Sequence, residues 1–80
     1  MRLDKFLKVS RLIVRRTVAN EACDAGRVKV NGNKSKASYE VKEGDVLEIA
    51  FGQKTVCVRV KSIREYARKD EASEMFEVME

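Results

Sequence analysis

The stretch Gly26-Arg27-Val28-Lys29-Val30-Asn31-Gly32 decides the fold, because the chain changes its period there. Val28 and Val30 alternate with Arg27 and Lys29, the period of two that belongs to a half-buried strand. Asn31-Gly32 then supplies the strongest short hairpin signal, since a type I′ turn needs positive φ at two consecutive residues. A short return strand follows near residues 34–37. Tyr39-Glu40-Val41 leads to a turn at Glu43-Gly44-Asp45. Residues 46–51 alternate again, with Leu47, Ile49 and Phe51 on one face. After a turn at Gly52-Gln53, residues 55–61 place Val56, Val58 and Val60 on one face.

Upstream of Gly26 the period is helical. Residues 18–25 bring Val18, Ala19, Ala22 and Cys23 to one side, a stripe of small residues that lets a helix lie close to its neighbours. Thr17 reads as the N-cap of this helix and Gly26 as its C′ stop. Residues 1–9 form another short helix, with Leu3, Phe6 and Leu7 at i, i+3 and i+4. Ser10 and the β-branched pair Ile13-Val14 break it, so a loop is expected over residues 9–16.

The predicted fold class is α+β: two short N-terminal helices packed on a small twisted antiparallel sheet of four to five strands. This domain covers residues 1–64. Residues 65–80 are predicted as an acidic C-terminal tail, a marginal helix or disordered by itself, with Ala72, Met75, Phe76 and Met79 in helical rhythm. Truncation after residue 64 is expected to leave the domain folded.

Charge is divided unevenly. Residues 1–36 hold ten basic and three acidic side chains, a net +7, whereas residues 37–80 hold seven basic and ten acidic, a net −3. The first half therefore calls for a polyanionic partner. Arg2, Lys5, Lys8, Arg11, Arg15 and Arg16 fall within sixteen residues, relieved only by Asp4; Arg27, Lys29, Lys34 and Lys36 border the hairpin. Individual lysines are commonly no more than solvated surface. The adjacent pair Arg15-Arg16 is harder to explain that way, because the two repel each other without a counter-anion, and the guanidinium fork suits phosphate. Asp4 reads as structural, favouring the N-terminal helix dipole and holding a neighbouring arginine. Thr17, Gly26 and the Asn31-Gly32 turn are first of all structural too. Tyr39 and Phe51 are expected in the core.

Other function classes lose ground on composition. The chain of 80 residues has no His, which removes histidine bases, ligands and pH switches. Its two cysteines, Cys23 and Cys57, form no zinc signature and read as small buried hydrophobes. No catalytic residues, metal site or cofactor are expected. No signal-peptide pattern or long apolar run is present, so a reduced, cytoplasmic protein without a membrane partner is expected.

The order of motifs resembles a known family. Arg2-Leu3-Asp4-Lys5-Phe6-Leu7, then Arg15-Arg16-Thr17-Val18-Ala19, Gly26 to Gly32, and Gly44-Asp45 are similar to the S-four RNA-binding domain, over roughly residues 1–60. The resemblance implies two helices on a small sheet, with RNA held by the helical face and the first hairpin. Carried over by position, it implies RNA contacts from Arg2, Lys5, Lys8, Arg11, Arg15, Arg16, Arg27, Lys29 and Asn31, with Asp4, Thr17, Gly26 and Gly32 in support. Phe51 to Val56 and the Glu71-Ala72-Ser73-Glu74-Met75 segment resemble the stand-alone bacterial members of the family that act in ribosome quality control. That implies a non-enzymatic, monomeric factor whose partners are large-subunit rRNA, peptidyl-tRNA, the large ribosomal subunit and an RqcH-like alanine-tailing factor. Two rivals come from other classes: a protein–protein adaptor docking through the acidic second half, and a fragment of an RNA-modifying enzyme.

Overall fold

The computed structural model describes residues 1–79; Glu80, the last residue of the expected tail, lies outside the described residues. In chain order the elements are α1 (Leu3–Val9), α2 (Arg16–Asp24), β1 (Val28–Val30), β2 (Asn33–Lys34), β3 (Val46–Phe51), β4 (Lys54–Val60), α3 (Lys69–Ala72), a 3-10 turn (Ser73–Met75) and β5 (Phe76–Val78). The strands form one antiparallel sheet in the order β2-β1-β3-β4-β5.

The turns at either end of β1 are those the sequence specifies. Asn31 and Gly32 both take positive φ, 52° and 86°, as a type I′ hairpin requires. Gly26, at φ 78°, closes α2: its amide donates to Cys23 O at 3.0 Å while Arg27 N donates to Ala22 O at 2.9 Å. These are the paired bonds of a Schellman motif, which only a residue at ease with positive φ closes without strain.

The core lies between the helices and one face of the sheet. Leu3, Phe6 and Leu7 of α1 and Ala19 of α2 are fully buried against Val28, Leu47, Ile49 and Val58. The small side chains of α2 are why so thin a layer closes. Val18, expected among them, is 45% exposed because it sits at the margin of that arc. Phe51, expected in the core, is 40% exposed: it ends β3 beyond the cover of the helices. Tyr39 does pack against the core, and its hydroxyl donates to Asp45 at 3.0 Å.

Thr17 is not the N-cap. Arg15 occupies that position in extended backbone, and Arg16 is already helical, so Thr17 lies exposed in the first turn. No side-chain cap serves α2; the Asp4 carboxylate of α1, described below, reaches only the Arg16 and Asn20 side chains of this helix.

Residues 65–79 are no appendage. Their helical rhythm resolves into the four-residue α3, the 3-10 turn and then β5, which pairs along β4 with Val58 opposite Val78 and Val60 opposite Phe76. Met75 is fully buried in the core, and its carbonyl accepts from Lys61 N at 2.8 Å and Ser62 N at 3.2 Å. The segment that a period of 3.6 marks as amphipathic helix is thus a chain reversal that buries Ala72 and Met75 and adds a fifth strand beside β4.

Candidate nucleic-acid interface

Asp4 is the centre of the basic face. It sits in the first turn of α1 with only 2% of its surface exposed. Its Oδ1 accepts from Arg2 Nε at 3.1 Å and from Lys5 N at 2.8 Å; its Oδ2 accepts from Arg2 Nη2 at 3.3 Å and from Asn20 Nδ2 at 3.1 Å. Arg16 Nη2 stands 3.5 Å from Oδ1. One carboxylate therefore ties α1 to α2 and fixes two arginines, each about half exposed, in a shared orientation. The remaining N-terminal amides of α1 are already engaged: Leu3 N donates to Tyr39 O at 2.8 Å and Asp4 N to Ala37 O at 3.2 Å.

Burial alone pushes the Asp4 carboxyl up, but the Arg2 and Asn20 hydrogen bonds, the Arg16 charge and the Lys5 amide outweigh it and hold it at about 2. A carboxylate depressed in the folded state stabilises the protein above its unfolded pKa, and that contribution is lost as pH falls from about 4 towards 2. The shift corresponds to on the order of 2 kcal/mol at neutral pH. Asp4→Asn is expected to lose about that much stability at pH 7 and to flatten the acid limb of the stability curve between pH 4 and 2. Urea titrations across that range test both. An unchanged acid limb would show that Asp4 carries no such linkage.

Beside this centre lies a concavity of about 500 Å³, lined by Lys5, Lys8, Arg11 and Arg16 together with Val14, Glu65 and Tyr66. Lys5 is ion-paired with Glu65. Among the described residues no carboxylate is within ion-pair distance of Lys8, Arg11 or Arg15. Arg11 holds φ at 63°, directly after the C-cap Ser10, a position at which glycine is usual. A non-glycine residue there costs on the order of 1 kcal/mol or more. The strain places a guanidinium where α1 ends. A second, shallower concavity is lined by Arg2, Asp4, Arg16, Thr17, Asn20 and Glu21. Arg16 belongs to both.

The structure thus brings together Arg2, Lys5, Lys8, Arg11 and Arg16, with Arg15 exposed at the start of α2. The other expected contacts lie apart. Lys29 alternates with the buried Val28 and Val30, so it projects from the sheet face opposite the helices, level with Glu48. Asn31 has its side chain committed: Nδ2 donates to Asp45 Oδ1 at 3.1 Å and Oδ1 accepts from Val46 N at 2.9 Å. Its role is to pin the hairpin tip. Arg27 lines a separate hollow with Ile13, Val18 and Phe51. Asn20 and Tyr66 were not singled out from the sequence. Asn20 had a signal, since it lies one turn after Arg16 on the same helix face.

Comparison with known proteins bears on this arrangement. Residues 1–47 match the S4 domain family. The chain is 62% identical over 78 residues to the RQC P-site tRNA stabilizing factor of Halalkalibacterium halodurans, covering 98% of this chain and 89% of that one. It is 54% identical over 79 residues to the RQC P-site tRNA stabilizing factor of Bacillus subtilis, covering 99% and 92%. Its fold is similar to the trimeric structure of Vibrio cholerae heat shock protein 15, with a TM-score of 0.92 at 26% identity over 99% of this chain and 81% of that one. With matches that run nearly end to end on both chains, the protein belongs to the S4-domain family of RQC P-site tRNA stabilizing factors.

Proposed function

We propose that this protein is a non-enzymatic RNA-binding factor of ribosome-associated quality control, acting on cytoplasmic large ribosomal subunits that still carry peptidyl-tRNA. The observation that carries the reading is the gathering of Arg2, Lys5, Lys8, Arg11 and Arg16 on one face of the first two helices, around a single buried carboxylate. Such a face offers several guanidinium and ammonium donors to phosphates at fixed spacing, which suits rRNA and tRNA backbones. The full-length relatives named for stabilising P-site tRNA support the same partner. Holding the tRNA in place would support alanine addition to the stalled chain by an RqcH-like tailing factor. Nothing in this role requires bond chemistry from the protein.

Salt provides a direct test. Contacts to phosphate release counterions, so affinity should fall with a log–log slope of about −0.7 to −0.9 per contact made. For a face with about five such contacts the slope is expected to be roughly −3.5 to −4.5 between 50 and 200 mM salt. Fluorescence anisotropy with a labelled structured RNA measures it. Affinity that hardly changes over that range would defeat the electrostatic reading. A second reading, a heat-shock-type rescuer of large subunits with nascent-chain tRNA, draws on the fold similarity to heat shock protein 15. It predicts binding to free large subunits without dependence on a tailing factor, which cosedimentation distinguishes.

A further inference from the structure

We propose that the concavity between α1, the loop after it and residues 65–67 is a site for a single unpaired nucleotide, with the base on Tyr66 and Val14 and its phosphate on Lys8, Arg11 and Arg16. The proposal rests on the RNA-binding reading above and gives it a ligand class. Tyr66 is 86% exposed and Val14 79%, the two most exposed of the large apolar side chains among the described residues. A lone exposed apolar residue is ordinary. Here both of them line the same concavity, which is also lined by Lys8 and Arg11, two cations with no carboxylate in ion-pair range among the described residues, and by Arg16. In a chain with only 6% aromatic residues, one ring has been left uncovered beside a phosphate-binding surface.

That juxtaposition suits a nucleotide better than either half of it alone would suggest. An aromatic face stacks on any base, while adjacent cations take the phosphate that the base carries. The concavity, about 500 Å³, falls within the range of small-ligand sites. Glu65, its one acid, is neutralised by the Lys5 ammonium, so it does not repel the phosphate. A fully paired helix has both faces of each base covered by its neighbours. Only a bulged, looped or terminal nucleotide can offer a face to Tyr66.

The test uses the whole chain with two RNA hairpins, identical except that one carries a single bulged nucleotide. Wild-type protein should bind the bulged hairpin more tightly. Tyr66→Ala should lose roughly 5- to 100-fold affinity for the bulged hairpin and leave the paired one nearly unchanged. Tyr66→Phe should retain the preference, since it keeps the stacking face. The chain has no Trp and two Tyr, so tyrosine emission gives a second readout. Emission should be quenched on binding the bulged hairpin by wild-type protein and not by Tyr66→Phe, whose remaining tyrosine is Tyr39. Equal loss on both hairpins, or no loss on either, would overturn the nucleotide site while leaving general RNA binding intact. Wild-type protein that binds neither hairpin would overturn the RNA-binding reading itself.

Discussion

Removal of residues 65–80 is expected to unfold the protein rather than trim it. The segment contributes Met75 and Ala72 to the core, at 0% and 2% exposure, and β5 to the sheet. Deleting it opens a methionine-sized void under β4 and leaves Lys61 N and Ser62 N without their carbonyl partner on Met75. It also turns β4 into a bare edge. Truncating a buried methionine to alanine alone typically costs about 2–5 kcal/mol. A chain of this length has a total stability of roughly 4–12 kcal/mol, so losing the methionine together with three strand pairs is a loss of the same order as the whole. Met75→Ala should therefore lower the urea midpoint sharply, while the chain ending at residue 64 should show no cooperative transition by circular dichroism. A truncated chain that melts cooperatively at the parent's midpoint would prove the tail dispensable.

That result separates what local chemistry can tell from what it cannot. Asn31-Gly32 and Gly26 were legible because the backbone angles they adopt are preferences of the residues themselves, needing no distant partner. The alternation in β3 and β4 was legible because a face that is buried must be apolar at every second position. β5 was not, because Phe76 to Val78 becomes a strand only where β4 presents an unpaired edge, a partner fifteen or more residues back. The α2 start was missed as well. Thr17 is a good local cap, yet the helix begins one residue before it, at Arg16, whose guanidinium faces the Asp4 carboxylate of α1.

The site divides along the same line. Concentration of arginine and lysine on α1 and α2 was readable as a face, and the structure gathers them on one. Lys29 was assigned by family likeness to RNA contacts from the first hairpin, and its alternation with Val28 and Val30 places it on the sheet side away from the helices. Asn31 was assigned by likeness too, and the Asp45 carboxylate that consumes its amide lies fourteen residues away. Spacing within an element was informative; partners between elements were not. Tyr66 illustrates the limit, since nothing in its neighbours signals that the chain returns there to meet Lys5 and Arg11.

Arg16→Glu is expected to produce the largest loss of RNA binding of any single surface change. Arg16 lines both concavities, so its charge is felt by a phosphate in either. Its guanidinium is about half exposed and stands 3.5 Å from Asp4, close enough to be oriented and free enough to meet a ligand. Reversal does three things at once. It deletes a donor fork, places a negative charge against incoming phosphate, and sets a second carboxylate beside Asp4, which loosens the contact that also positions Arg2. Loss of one charged contact is worth about 1.5–3 kcal/mol, so Arg16→Ala should weaken binding by roughly tenfold or more. Arg16→Glu should weaken it by on the order of a hundredfold, and should reduce the magnitude of the salt slope by about 1 or more. The fold should survive, because an acid in the first turn of α2 favours the helix dipole. Lys29→Glu, on the far face of the sheet, and Lys36→Glu, beyond the hairpin, carry the same charge change and should shift affinity only slightly. Cosedimentation with large ribosomal subunits, alongside anisotropy on structured RNA, compares all four variants. Folded Arg16→Glu protein that cosediments like the parent would remove the helical face from the interface, and equal defects in Lys29→Glu would show that total charge rather than placement governs binding.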